Sequence, residues 1–433
     1  MTEMAAPVSG LGHGGAQGSS NGARFVSAPE RERRPRARVR EALRMARPAH
    51  VVTLLRDVAG VRRPVRDSAE HLREAMAWLC RAQDAGRVGG VAAGYSLIRG
   101  WEPPYPETTG YIIPTFLDYA RLTGDPDIRD RAVRMGEWLL GIQMADGSFQ
   151  AGYYYGAAAQ APPSVFNTGQ ILLGLCRLFR ETRDRRWLAA AARSGEWLVR
   201  MQDADGAWYQ GLSFHGPTAP VRTYYVRVAW ALMELAAILE AGDRYREAAA
   251  RHVRWTLAQQ QDNGWFDNNA FVVGADPFTH TIAYVLEGLL GYADHADVPA
   301  CLPAVLKTAT RLVRCLELRS VFPGEFGRDW QSAATYRCLT GEAQISGVWL
   351  RLHALTGDAR FLNSALKLLD RLKATQSLTS SNPGVRGGIK GSQPIWARYH
   401  RLSFVNWGAK FLADALMAEI EAVDALEQRV VGG

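Results

Sequence analysis

Gly136–Gln150 reads GEWLLGIQMADGSFQ, and Gly195–Gln210 reads GEWLVRMQDADGAWYQ. The tryptophan moves from 138 to 197 and the glutamine from 143 to 202, a period of 59 residues. Trp255 and Gln260, ahead of Asp262-Asn263-Gly264-Trp265, make a third copy, and Trp78 with Gln83 a degenerate first one. A Trp-x4-Gln unit returning at this interval marks an array of equivalent supersecondary units, each burying its apolar face on its neighbours.

Outward from these units the chain reads as helix after helix. Apolar periodicity predicts amphipathic outer helices at about 68–83, 127–143, 185–202, 244–260, 298–315 and 359–375. More apolar inner helices are predicted at about 109–122, 168–181, 223–240, 280–293, 341–355 and 406–422, so that six hairpins result. The turns from inner to outer helices (LTGDPD, TRDRR, EAGDRY, HADVP, LTGDAR) are short and built from residues that stop and cap helices. Long loops fall only at the other end, which makes one rim scaffold and the other the place for function. Six inner-helix N-termini, with free N–H groups and partial positive charge, are expected around one mouth suited to anionic or hydroxyl-rich ligands.

Composition bounds the rest. With 433 residues, 47% apolar, 13 Trp and 15 Tyr, one large domain is expected over 68–425, behind a basic arm at 1–67. No apolar run reaches the roughly 18 residues that span a bilayer, and the N-terminus lacks the basic start and apolar stretch of a signal peptide. Five scattered cysteines without a Cys-x-x-Cys pair fit reduced thiols in a cytoplasm, with no disulfide frame, metal site or cofactor expected. Residues 1–67 carry 13 Arg against 6 acids, +7 of the net +8, so the body is nearly neutral and nucleic acid is not an expected partner. Residues 1–23, rich in Gly, Ser and Ala, are expected to be disordered. Arg31–Arg66 joins RERRPRARVR to the apolar HVVTLL, and reads either as a tail hugging the outside of the domain or as a segment resting on an anionic inner-membrane face.

Six hairpins with Q-x-x-D-G-x-[WF] loops resemble the (α/α)6 toroid, an all-α superfold shared by glycoside hydrolases, polysaccharide lyases, sugar epimerases and class II terpenoid cyclases. The Gln and Trp unit is similar to the tie of the terpenoid cyclases, which implies that Gln143, Gln202 and Gln260 fasten an outer helix to the next inner one. The Asp-x-Asp-Asp acid of those cyclases is absent: Asp203-Ala-Asp205 lies inside a tie and Asp125-Pro-Asp127 in a short turn. Zinc prenyltransferases of the same fold need an Asp, Cys and His set, and no cysteine falls at the predicted mouth. PYPETTGY (Pro104–Tyr111), FNTGQ (Phe166–Gln170), LTGEAQ (Leu339–Gln344) and GGIKGSQPI (Gly387–Ile395), followed by Tyr399 and Val405-Asn406-Trp407, resemble motifs of toroidal proteins encoded among bacterial exopolysaccharide genes. Over about residues 70–420 that resemblance implies an oligo- or polysaccharide substrate.

Thr109-Gly110-Tyr111, Thr168-Gly169-Gln170 and Thr340-Gly341-Glu342 take equivalent places, the threonine as predicted N-cap and the third residue facing inward. Capping explains the threonines. It does not explain Tyr111, Gln170 and Glu342, where an aliphatic residue would carry less desolvation cost. His280 begins the fourth inner helix and Asn406-Trp407 the sixth, although a lone histidine is as readily structural. Tyr105, Glu107, Asn167, His215, Arg222, Tyr225, Trp265, Asp267, Asp276, Gln344, Lys390 and Tyr399 lie in or beside the long loops. There the aromatic rings suit stacking on sugars, and the polar groups match hydroxyls and carboxylates. Asp267-Asn268-Asn269 is equally explained by Asx turns.

Two chemistries fit such a mouth. A glycosidase needs paired carboxyls, for which Glu107, Asp276 and Glu342 are candidates. A uronate lyase or C5-epimerase needs a base such as Tyr111, Tyr225 or His280, with Arg222 or Lys390 neutralising the substrate carboxylate. Glu107, Glu342, Tyr111 and His280 are the expected catalytic residues, and the two glutamates are expected to reach one substrate across the ring. A class II terpenoid cyclase-like enzyme and a non-catalytic glycan-binding scaffold are the alternatives.

Overall fold

The structure, a computed structural model, describes residues 41–159, 161–211, 221–296 and 298–431. Helix α1 (Pro48–Val58) precedes six outer helices: α2 (Ser68–Gly86), α4 (Pro126–Ile142), α6 (Arg185–Arg200), α8 (Asp243–Ala258), α10 (Cys301–Leu318) and α12 (Ala359–Lys373). These alternate with six inner helices: α3 (Pro106–Thr123), α5 (Val165–Thr182), α7 (Val226–Ala236), α9 (Thr279–Ala293), α11 (Leu339–Thr356) and α13 (Asn406–Val431). Each inner helix packs on the next and α13 returns to α3, which closes the ring; α2 packs on α13, so the first and last units share a hairpin. The chain is an all-α (α/α)6 toroid. Burial follows the sequence pattern: α12 buries one face through Phe361, Ala365, Leu368 and Leu372, whereas nearly every residue of α9 is buried, as a helix inside a double ring requires.

The short-loop rim is held by caps. Asp125, Asp184 and Asp358 each accept a hydrogen bond from the N–H two residues on, at 2.9 Å in all three cases. The long-loop rim carries short strands that the helical reading did not anticipate: β1 (Gly94–Ser96), β2 (Gly100–Trp101), β3 (Arg337–Cys338), β4 (Ser392–Gln393) and β5 (Ser403–Val405). β1 pairs antiparallel with β2 and with β5, Tyr95 opposite Phe404, which stitches the first long loop to the last; β3 pairs with β4.

The glutamine ties run from each outer helix to the next outer helix, not to an inner one as expected. Gln143 Nε2 donates to Gly147 O (3.1 Å) in its own turn and to Ala190 O (2.9 Å) of α6. Gln202 repeats this with Gly206 O and Ala248 O, Gln83 with Gly89 O and Arg131 O, and Gln260 reaches Ala304 O. A fifth tie, absent from the sequence reading because Arg371 stands where the tryptophan would be, joins Gln376 to Gly387 O and to His71 O of α2. The accepting glycines share a left-handed backbone, with φ of +94° at Gly89 and Gly147, +92° at Gly206 and +79° at Gly387. They also press against the next outer helix. The interval between α10 and α12 has no such glutamine.

The predicted threonine caps are corrected as well. Helices α3 and α5 start three residues earlier than expected, at Pro106 and Val165, so Thr109 and Thr168 lie inside the first turn. Their hydroxyls accept from Val91 N and Phe149 N at 3.0 Å, fastening the end of each tie loop to the inner ring. Ser164 caps α5 instead. Helix α1 lies on the toroid: buried His50 stands 3.2 Å from Tyr95 Oη, and Asp57 accepts from Lys390 Nζ (2.6 Å) and Ile395 N (2.8 Å). Its outer side, with Val51, Val52, Leu55 and Val58, stays exposed. No described helix is long and apolar enough to cross a membrane.

Gly206 and Gly124 both have positive φ, but a Cβ on Gly206 would meet Arg251 backbone atoms at 2.7 Å, whereas one on Gly124 meets nothing within 4 Å. Gly124→Ala is expected to cost about 1–2 kcal/mol for the left-handed backbone. Gly206→Ala is expected to cost about 1–3 kcal/mol more for displacing α8. Thermal unfolding of the two variants against the parent checks the difference.

Candidate active site

The inner ring is polar only in layers. At the long-loop rim, Glu107 occupies the first turn of α3, 7% exposed, and accepts a hydrogen bond from Tyr105 Oη at 2.6 Å. Burial pushes its carboxyl up to about 7, although the Tyr105 hydrogen bond and the positive charge of Arg227 both pull it down. A carboxyl shared between its acid and base forms near neutrality is suited to proton transfer in either direction. Around it stand Tyr105, Tyr111, Tyr224, Tyr284 and Tyr399, all buried, with phenol pKa values raised by that burial, so they donate hydrogen bonds rather than act as bases.

Below this layer lies a waist centred on Arg227, 2% exposed. Every inner helix supplies one side of it. Arg227 of α7 donates Nε to Gln170 Oε1 of α5 (2.7 Å) and pairs with Glu287 of α9. Gln344 of α11 donates to Glu287 Oε2 (3.1 Å) and faces His280 Nδ1 (2.5 Å). The guanidinium sits 4.7 Å from the Tyr284 ring centre and 5.9 Å from those of Tyr111 of α3 and Phe411 of α13. A cation held by a carboxylate, one amide and four aromatic faces, Trp230 at 5.3 Å being the fourth, is compensated well enough to be buried. Toward the short-loop rim the polar groups meet water again: Glu287 is 18% exposed, Asp414 36% and Asp118 42% at their side chains. Lys410 and Thr115 hold Asp414, and Arg177 pairs with Asp118.

Of the residues picked from sequence, Tyr105, Glu107, Tyr111, Gln170, His280, Gln344, Tyr399 and Trp407 gather here. His280 is held neutral, pushed down to about 3 by burial, with its ring 4.2 Å from that of Tyr284. Trp407 Nε1 donates to Tyr399 Oη at 2.8 Å. Gln170 Nε2 is buried with no hydrogen-bond partner among the described residues. Tyr225 stacks on Phe166 at the third inner helix.

Others are corrected. Glu342 does not share the mouth with Glu107: both of its carboxylate oxygens are held by Arg337, with Arg371 of α12 beyond. Lys390 pairs with Asp57 behind the fifth and sixth units. Asn167 and Asn406 are structural, donating to Gln150 O and to Ala92 O and Thr108 Oγ1. Arg222 donates to Phe271 O, Asp267 pairs with Arg328 beside the third tie, and Trp265 packs edge-on against Trp330. Asp276 lies in the loop ahead of α9, on the Glu325 side. Cys338, at the start of α11, is nearer the mouth than expected, but burial pushes its thiol up to about 12 and it packs with Phe278, Tyr336 and Tyr399. Among the described residues no three potential ligands gather as a metal site. His215 lies outside the described residues.

Arg227, Tyr284, Glu287 and Phe411 carry no helix-start motif and so are not singled out by that sequence pattern. A signal existed: His280, Tyr284 and Glu287 stand at i, i+4 and i+7 on an otherwise apolar helix, one polar stripe facing the ring axis.

Residues 151–288, less than half of the chain, match the family described as the squalene-hopene cyclase C-terminal domain. No curated protein sequence matches. Among solved structures the chain is similar to an unsaturated glucuronyl hydrolase specific for heparin, at 15% identity over 82% of this chain and 98% of that one, with a TM-score of 0.66. The unsaturated glucuronyl hydrolase of Bacillus sp. GL1 superposes at 14% identity over 81% and 96%, TM-score 0.63. The cellobiose 2-epimerase of Bacillus thermoamylovorans does so at 11% over 80% and 97%, TM-score 0.61. At such identities the likeness is one of fold, and the fold is the (α/α)6 toroid in each case.

Because the carboxyl of Glu107 titrates at about 7 in the native state against 4.5 ordinarily, the native state holds the extra proton between those values. Its contribution to stability is therefore full below about pH 4.5 and lost as pH rises through 7, on the order of 3 kcal/mol in all. Glu107→Gln lacks that loss. The variant is expected to melt close to the parent at pH 4.5 and clearly above it at pH 8, as calorimetric scans across the window would show.

Proposed function

We propose that this toroid is a saccharide-processing enzyme, that its mouth holds the end of an oligo- or polysaccharide, and that Glu107 is its proton-transfer residue. The carrying observation is the buried Glu107 carboxyl, titrating at about 7 inside an aromatic mouth above Arg227. Aromatic rings give sugars stacking faces, and the Gln170 amide adds a donor for a hydroxyl or carboxylate oxygen. Uronate is the favoured sugar class, because the positive charge of Arg227 is felt at Glu107 and the similar folds include two glucuronyl hydrolases.

Hydrolysis is favoured over elimination or epimerisation. In hydrolysis Glu107 delivers its proton to the glycosidic oxygen as the C–O bond breaks; water then adds hydroxide to the anomeric carbon and returns a proton to Glu107. Elimination and C5-epimerisation instead need a base for the C5 proton. Raised phenol pKa values at Tyr111 and a hydrogen-bonded, neutral His280 facing Gln344 suit that role less well.

A second reading, cyclisation of an isoprenoid, is supported by the same aromatic wall and by the family match over residues 151–288. Against it stands the missing Asp-x-Asp-Asp acid. The third, a non-catalytic glycan-binding scaffold, predicts binding without turnover.

Mass spectrometry of products from saturated and unsaturated uronate-ended oligosaccharides, and from a prenyl diphosphate, separates these readings. Hydrolysis adds water to the substrate mass, elimination leaves an unsaturated uronate, and epimerisation leaves mass unchanged. Added water is expected, and Glu107→Gln is expected to lower kcat by about 10²-fold or more while remaining folded. A folded variant that keeps more than about a tenth of parental turnover removes Glu107 from the chemistry.

A further inference from the structure

We infer a second binding site, for a phosphoryl group, in the basic cavity between α1 and the fifth and sixth units. The cavity measures about 250 Å³. That is smaller than the roughly 300–1,000 Å³ of pockets for drug-sized ligands and suits a phosphate or a small phosphate ester. It lies away from Glu107 and does not depend on the saccharide reading.

Charge identifies the ligand class. The walls carry Arg56, Arg62, Arg63, Arg337, Arg371 and Lys390, with Asp57 the one acid among them. Asp57 is already taken by Lys390, and Arg337 by the buried Glu342 behind it. Arg56, Arg62, Arg63 and Arg371 make no ion pair among the described residues, so four positive charges face one space unbalanced. The C-termini of α1 and α12 also reach this cavity, yet each is equivalent to only about half a negative charge. Together they do not offset the four cations.

Mutual repulsion and burial act on the walls in the same direction. Lys390 is held down to about 8, first by burial and then by Arg63 and Arg337, against the pull of Asp57. Arg63 and Arg371 are also lowered, first by burial and then by Arg56 and Arg337 respectively, against the weaker pull of Asp57 and Glu342. A cluster of like charges held together in this way is stabilised by a dianion placed among them. Guanidinium groups from α1 (Arg56), from the segment that follows it (Arg62, Arg63) and from α12 (Arg371) line it, and guanidinium forks match phosphate oxygens in pairs. The position also has a structural reason: the cavity borders the interval between α10 and α12, where no glutamine tie draws neighbouring units together.

The phosphoryl group has two possible sources. It is carried by a soluble phosphate ester or by a lipid headgroup, the second because Val51, Val52, Leu55 and Val58 on the outer side of α1 are exposed beside the cavity. The test uses the full chain and two variants, Arg63→Gln/Arg371→Gln and, as a control for net charge, Arg254→Gln on α8 outside the cavity. Calorimetry with inorganic phosphate, pyrophosphate and glucuronate reads the soluble source. Flotation with phosphatidylcholine vesicles, with and without phosphatidate, reads the lipid source. Binding of phosphate or pyrophosphate, or phosphatidate-dependent flotation, is expected for the parent and Arg254→Gln. The double variant should bind at least about tenfold more weakly, the scale of one charge-assisted hydrogen bond lost. Circular dichroism confirms its fold, and Arg371→Gln alone replaces it if the pair does not fold. Equal binding by variant and parent, stronger binding of glucuronate than of phosphate, or no binding in either arm overturns the site.

Discussion

One side chain in a left-handed turn holds the outer ring together. At Gln260 the Thr308 hydroxyl takes over the glycine carbonyl, and in the other four of the five ties a glutamine amide donates to the glycine carbonyl of its own turn and to a carbonyl within the next outer helix. Its oxygen is used too: Arg131 donates to Gln83 Oε1 at 3.1 Å, Arg251 to Gln202 Oε1 at 2.6 Å, and His71 faces Gln376 Oε1 at 2.6 Å. An amide with all its groups satisfied can be buried between helices at little cost, and it fixes their axial register as apolar contact alone does not. The glycine is forced by the same geometry, since its backbone is left-handed and the next helix stands where a side chain would be. Everything at the mouth rests on this, because the loop leaving each glycine reaches the inner ring within a few residues, as at Thr109 and Thr168.

That locality explains why the architecture was legible. Tryptophan, glutamine and glycine sit within about ten residues of one another, so a single repeat displays the whole device, and the twelve helices fall close to where periodicity put them. The exceptions have causes. Gln376 hid because Arg371 replaces its tryptophan, and the rim strands hid because they are two or three residues long and paired between distant loops. The chemical site was read only in part. A helix start fixes the height of a residue along the ring axis, while its direction turns by about 100° per residue. Gly341 abuts the start of α9, which turns Glu342 outward to Arg337 and Gln344 inward to His280 and Glu287. No property of Glu342 alone carries that information.

Burial decides the electrostatics of the ring interior. Glu107 and His280 are both displaced toward their neutral forms, by the same cause acting in opposite pKa directions. Arg227 cannot follow, since a guanidinium keeps its proton, and so it gathers Glu287, Gln170 and four aromatic faces around itself, with Gln344 bracing Glu287. The one obligatory charge thereby determines what six helices present to the axis. Neutral groups collect above it, and exposed ion pairs such as Arg177 with Asp118 lie below.

The waist around Arg227 also sets a rule of passage. With that guanidinium wedged among residues from all six inner helices, the ring axis is closed at that level. A polymer cannot be threaded along the ring axis past that level, because Arg227 and its neighbours fill it. Under the saccharide reading proposed above, that closure selects the terminus of a chain over its interior.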